Sequence, residues 1–60
     1  MSIRELEVAG LVAEGLTNSQ MAARLHLSVR TVESHVRNAL MKAGLANRTQ
    51  LATWAKDRTQ

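Results

Sequence analysis

Cysteine and proline are both missing from this 60-residue chain, and its only aromatic residue of the Phe, Tyr and Trp set is one tryptophan. Without cysteine, disulfides and thiolate metal sites are excluded, and nothing implies an oxidising compartment. A domain this small, with no such staple, must rely on well-packed helices. The missing proline, the scarcity of β-branched runs and the many Ala, Leu, Arg, Glu and Gln residues suit that. No apolar run approaches the roughly 20 residues that span a bilayer. Nor is there a charged start followed by the apolar segment of a signal peptide. Hydrophobic residues nevertheless make up 45% of the chain, enough for a core and too many for disorder.

The net charge is only +3, but its distribution is informative. The first fifteen residues set Arg4 against Glu5, Glu7 and Glu14. Residues 16–50 set Arg24, Arg30, Arg37, Lys42 and Arg48 against Glu33 alone, and the tail adds Lys56, Asp57 and Arg58. Positive charge therefore gathers on the middle of the chain, as a polyanion partner requires and as a plain solvated face also permits. Catalysis has little to draw on. There is no nucleophile–base pair, Gly-rich phosphate loop or carboxylate pair at useful spacing, so neither an enzyme nor a cofactor is expected. Glu5, Glu7 and Glu14 are explained by capping and surface. His26 and His35 stand nine residues apart with no third ligand evident, which matches no zinc pattern.

Helix-start signals recur along the chain. Ser2 and Glu5 form an S-x-x-E capping box, Thr17 and Gln20 a second, Ser28 is a natural N-cap, and Asn47 with Gln50 gives an N-x-x-Q variant. They predict four helices over about residues 3–14, 18–25, 29–43 and 48–57, an all-α bundle. Gly15 and Gly44 are placed to end helices in the left-handed conformation. His26 takes the corresponding place after the second helix, and histidine is enriched at positive φ among non-glycine residues.

Val8, Ala9 and Val12 share one side of the first helix with the following Leu16. Met21, Ala22 and Leu25 form the buried face of the second, with Ala22 where the second and third helices cross. In the third, Val32, Val36, Ala39, Leu40 and Ala43 gather on one side. Opposite them lie Arg30, Ser34, Arg37 and Met41, bordered by Glu33 on one flank and by Thr31 and Asn38 on the other. In the fourth, Leu51, Ala52 and Ala55 face inward with Trp54 beside them. A short capped helix, a tight turn and a longer helix with an outer arginine row form a helix-turn-helix arrangement.

R-E-x-E-V from Arg4 to Val8, A-E-G-L-T-N from Ala13 to Asn18 and M-A-A-R-L from Met21 to Leu25 are followed by L-S-V-R-T-V-x-x-H-V from Leu27 to Val36 and N-R-T-Q from Asn47 to Gln50. With these motifs in this order, essentially the whole chain resembles the DNA-binding domain of LuxR-type (GerE-like, NarL/FixJ-like) bacterial transcription regulators. The resemblance implies a four-helix LuxR/GerE-like bundle with a central helix-turn-helix. It implies one domain over residues 1–60, normally the C-terminal output domain of a larger regulator with a sensor, receiver or ATPase-type module.

The implied activity is sequence-specific double-stranded DNA binding in transcription regulation, with the third helix in the major groove. Base readout falls to Arg30, Glu33, Ser34 and Arg37, and the DNA backbone to Thr17, Asn18, Thr31, His35 and Lys42. The fourth helix is the usual dimer surface, through Leu51, Trp54, Ala55 and Arg58, so self-association on DNA is expected and contact with RNA polymerase is a further partner. No membrane or small-molecule partner is expected, and the location is cytoplasmic, at the bacterial nucleoid.

Some assignments stay open. Glu33 either accepts from a cytosine amino group or pairs with Arg37 or Arg30 to aim them, and the aiming role is favoured. His35 is either a packed, hydrogen-bonded imidazole or a phosphate contact, and Trp54 is either core or dimer patch. Two rival functions share the device: a sigma-factor-like promoter module, and a helical protein-interaction module without DNA. Ala9 stands where the family has a bulkier residue, which predicts a thinner core there.

Overall fold

The computed structural model describes residues 1–58, which form four helices: α1 (Ile3–Ala13), α2 (Asn18–Leu25), α3 (Val29–Ala43) and α4 (Arg48–Arg58). Every start coincides with a cap expected from the sequence. α1 stops one residue early because Glu14 is its C-cap, and α4 runs one residue further than expected, to Arg58.

Local chemistry accounts for the starts. The Ser2 and Thr17 side chains accept from the Glu5 and Gln20 amides, while Glu5 and Gln20 reach back to the Ser2 and Thr17 amides, closing both boxes. Ser28 accepts from the Thr31 amide at 3.1 Å. The α4 start differs in one bond. Asn47 accepts from the Gln50 amide, but the Gln50 side chain takes the amide of Ala46, one residue before the cap.

Three helix ends share one construction. Gly15, His26 and Gly44 all have positive φ, with His26 at φ 58°, ψ 43°. Each is followed by a leucine whose amide donates back five residues: Leu16 to Leu11, Leu27 to Ala22 and Leu45 to Leu40, at 2.9–3.2 Å. This is the Schellman closure, in which the residue beyond the left-handed one also supplies an apolar contact. Leu16, Leu27 and Leu45 all pack against the core.

α1 packs on α3 and α4, and α2 packs on α3. The largest fully buried side chains are Val8, Met21, Val32 and Leu51, one from each helix. Burying such a side chain is worth about 1.5–3 kcal/mol relative to leaving it in water. Ala9, Ala22 and Ala39 are buried among them and let the helices approach closely. The thin core expected at Ala9 corresponds to a shallow groove of about 250 Å³ between α1 and α4, lined by Leu6, Ala9, Gly10, Trp54, Ala55 and Arg58.

Glu5 fills the capping role expected for it but does not lie on the surface. It is only 4% exposed, and Lys42 of α3 reaches its carboxylate at 3.0 and 3.3 Å. The Ser2 backbone N–H and then the Lys42 ammonium hold its carboxyl below the ordinary value of 4.5, against the opposing effect of burial. One carboxylate thus caps α1 and ties it to the far end of α3.

Because Glu5 is easier to ionise in the folded chain than in the unfolded one, its stabilisation is complete above the unfolded carboxylate value and is lost as pH falls through the folded one. Glu5→Gln is expected to melt at a lower temperature at neutral pH and to show a shallower loss of melting temperature below about pH 4.5, as the linkage requires. Thermal melts of both proteins across acidic pH check this. His26→Gly is expected to raise stability by about 1 kcal/mol by relieving the left-handed conformation, whereas His26→Val lowers it; urea titration measures both.

Candidate nucleic-acid interface

Since Val32 and Ala39 turn α3 inward against α1 and α2, its opposite face is left to solvent. Arg30, Glu33, Ser34 and Arg37 are all exposed there, and Met41 continues the row at 70% exposure. At about 1.5 Å per residue, Arg30 and Arg37 stand about 10 Å apart along the helix. Among the described residues none of the four makes an intrachain ion pair or side-chain hydrogen bond, whereas elsewhere Arg4 pairs with Glu7 and Lys42 with Glu5. This corrects the favoured expectation for Glu33. It is paired with neither Arg30 nor Arg37, so it does not aim them within the protein alone.

The backbone candidates divide into two groups. Thr17 and Asn18 lie at the start of α2 and Thr31 in the first turn of α3, where unpaired amides and the positive helix end favour an anion. The Thr31 hydroxyl is held at 2.9 Å from Ser28 Oγ. The His35 side chain is half-buried and its imidazole has no intrachain hydrogen bond among the described residues, so the packed, hydrogen-bonded alternative is not what the structure contains. Lys42 has a second role that the sequence did not announce: its ammonium is engaged by the buried Glu5 carboxylate, although the side chain stays half-exposed.

The expected dimer patch also needs correcting. Leu51 is fully buried and Ala55 is 4% exposed, so both belong to the core and neither offers a surface to a second chain. Trp54 is half-buried, packed against the core, with the Arg58 guanidinium 4.8 Å from its ring centroid, a cation–π contact. Only Trp54 and Arg58 of the four lie at the surface of α4. Trp54 thus combines the two roles left open for it, packing on the core at one side and meeting solvent at the other.

Sequence reasoning missed Arg48. From the first turn of α4 its guanidinium donates to Asn18 Oδ1 at 2.6 Å and to the Leu16 carbonyl at 2.7 Å, bridging to the start of α2. A signal was available: a cation at a helix N-terminus is opposed by the helix dipole, so an arginine there points to a partner elsewhere in the fold. Among the described residues no three His, Cys, Asp or Glu side chains are grouped to hold a metal ion. No helix there is long and apolar enough to cross a membrane.

Residues 1–55 match the family described as bacterial regulatory proteins, luxR family. The chain is 42% identical over 52 residues to the transcriptional regulatory protein LiaR of Bacillus subtilis, covering 87% of this chain and 25% of LiaR. It is 43% identical over 54 residues to the DNA-binding transcriptional activator DevR/DosR of Mycobacterium tuberculosis, covering 90% of this chain and 25% of that protein. To the response regulator protein VraR of Staphylococcus aureus it is 38% identical over 52 residues, with 87% and 25% covered. The chain thus spans about a quarter of the length of the curated relatives it matches.

Proposed function

This chain belongs to the luxR family of bacterial regulatory proteins, and we propose that it binds double-stranded DNA sequence-specifically to regulate transcription, as the output domain of a larger regulator. The observation that carries this reading is the exposed, unpaired row of Arg30, Ser34 and Arg37 on α3, presented after a short α2 and a left-handed turn. Arginine can donate two hydrogen bonds to guanine O6 and N7 in the major groove, which discriminates by about 1–3 kcal/mol. The α2 and α3 starts, with Thr17, Asn18, Thr31 and His35, meet flanking phosphates and set the register.

Glu33, unpaired on the same face, accepts from a cytosine amino group. Two copies associate on DNA along α4, through the outer edge that Trp54 and Arg58 leave exposed, and place their α3 helices in successive grooves about 34–36 Å apart. The larger regulator contains the signal-receiving part, acts in the cytoplasm on the nucleoid, and contacts RNA polymerase from its DNA site. This domain itself performs no catalysis and takes no cofactor.

The test is selection of bound sequences from random duplexes, followed by titration at several salt concentrations. Affinity is expected to fall steeply with salt as phosphate counterions are released. Failure to bind mixed DNA even at low salt would move the assignment to a protein-interaction module. Arg37→Ala is expected to weaken the selected site about tenfold or more and to relax preference at one base pair, from the worth of a bidentate contact. Equal loss on every sequence would remove Arg37 from base reading. Glu33→Gln is expected to raise affinity for mixed DNA, by removing an acidic group from the groove, while relaxing cytosine preference at one position. A uniform gain with the preference intact would show that Glu33 reads nothing.

A further inference from the structure

Arg48 stands outside the row that reads bases, yet it touches the start of α2, where the backbone contacts gather. The guanidinium has donors only, so the Asn18 carboxamide must turn its oxygen toward Arg48. The bond is short, 2.6 Å, and charge-assisted, which fixes the amide against flipping. Its nitrogen, Nδ2, is turned away from Arg48 and has no intrachain acceptor among the described residues. The second guanidinium arm, on the Leu16 carbonyl, holds the segment leading into the Thr17 cap.

Gln20, two residues on, is also oriented by a hydrogen bond: its Oε1 accepts from the Thr17 amide, so its amide nitrogen lies away from that bond. At the start of α2 both carboxamide oxygens, of Asn18 and Gln20, are thus occupied and both carboxamide nitrogens are left to donate, the polarity that a phosphate oxygen requires and a cation does not.

Resting on the DNA-binding reading above, we propose that Arg48 is a positioning residue for DNA-backbone recognition, acting through Asn18: it sets the carboxamide so that Nδ2 donates to a phosphate oxygen. Arg48 itself is not the phosphate ligand, because its two bonded arms point into the protein.

The experiment is a double-mutant cycle on the full 60-residue chain, binding its selected duplex, with thermal melts confirming that each variant is folded. Asn18→Ala and Arg48→Ala are each expected to weaken binding about five- to tenfold, the worth of one hydrogen bond. The double variant is expected to be no weaker than the worse single one, because both remove the same contact. Neither should alter the salt dependence, since an uncharged amide displaces no counterion. Asn18→Asp is expected to melt at or above the wild-type temperature, through an ion pair with Arg48, while losing at least as much DNA affinity as Asn18→Ala.

Additive losses, or a salt slope lowered by about one on removing Arg48, would make that arginine a direct phosphate contact and overturn the proposal. Should Arg48→Ala fail to fold, Arg48→Lys keeps the charge but loses the two-armed geometry. It should then weaken binding in the Asn18 chain and change nothing in Asn18→Ala; equal losses in both backgrounds overturn the proposal. Failure of the wild-type chain to bind DNA would strike the parent reading instead, so the two failures are distinguishable.

Discussion

Val8, Met21, Val32 and Leu51 each come from a different helix and meet with essentially no exposure. Everything else depends on that meeting, because none of the helices is long enough to be stable alone. α2 is the extreme case at eight residues. Its capping box settles where it starts, and Met21 and Ala22, with Leu25 at their edge, hold it in the core. The spatial relation of α2 and α3 is thus a property of the core. The alanines at 9, 22 and 39 matter for the same reason: they bring helix axes close enough for a few modest side chains to fill the interior.

Much of this was legible in the sequence because it is local. A cap reaches three residues and a left-handed closure five, so the helix boundaries and the conformation of His26 could be read from short patterns. The inner and outer faces of α3 followed from helical spacing. What stayed hidden was long-range. Nothing near Glu5 announces that its carboxylate will be covered and matched by a lysine 37 positions away. Nothing near Asn18 announces Arg48, apart from the oddity of a cation at a helix start. The dimer assignment failed at Leu51 and Ala55 because family likeness names a helix, while burial is decided side chain by side chain. Helical spacing turns Leu51 and Ala55 inward, and the structure buries both.

The charge on the middle of the chain divides into distinct uses. Lys42 answers a buried acid, and Arg48 braces a loop with both arms on uncharged acceptors. Arg30 and Arg37 are exposed, with no intrachain side-chain partner among the described residues. A net charge counts these alike. Their availability to a polyanion differs, because a cation already matched by a desolvated carboxylate gains little from a phosphate. Glu33 gains interest by the same argument, as an acid left unmatched on a face otherwise arranged for an anion.

The three leucine-closed joints at Leu16, Leu27 and Leu45 carry a mechanical consequence. Each ties down the backbone where a chain of short helices would otherwise flex, so the pose of α2 against α3 is built into the chain before any partner binds. Association then costs little conformational entropy. A stiff reader also adapts little to an imperfect site. In the DNA-binding reading proposed above, adjustment falls to the duplex, so the ease with which a given stretch of DNA bends or changes its groove width becomes part of how one site is told from another, at base pairs no side chain touches.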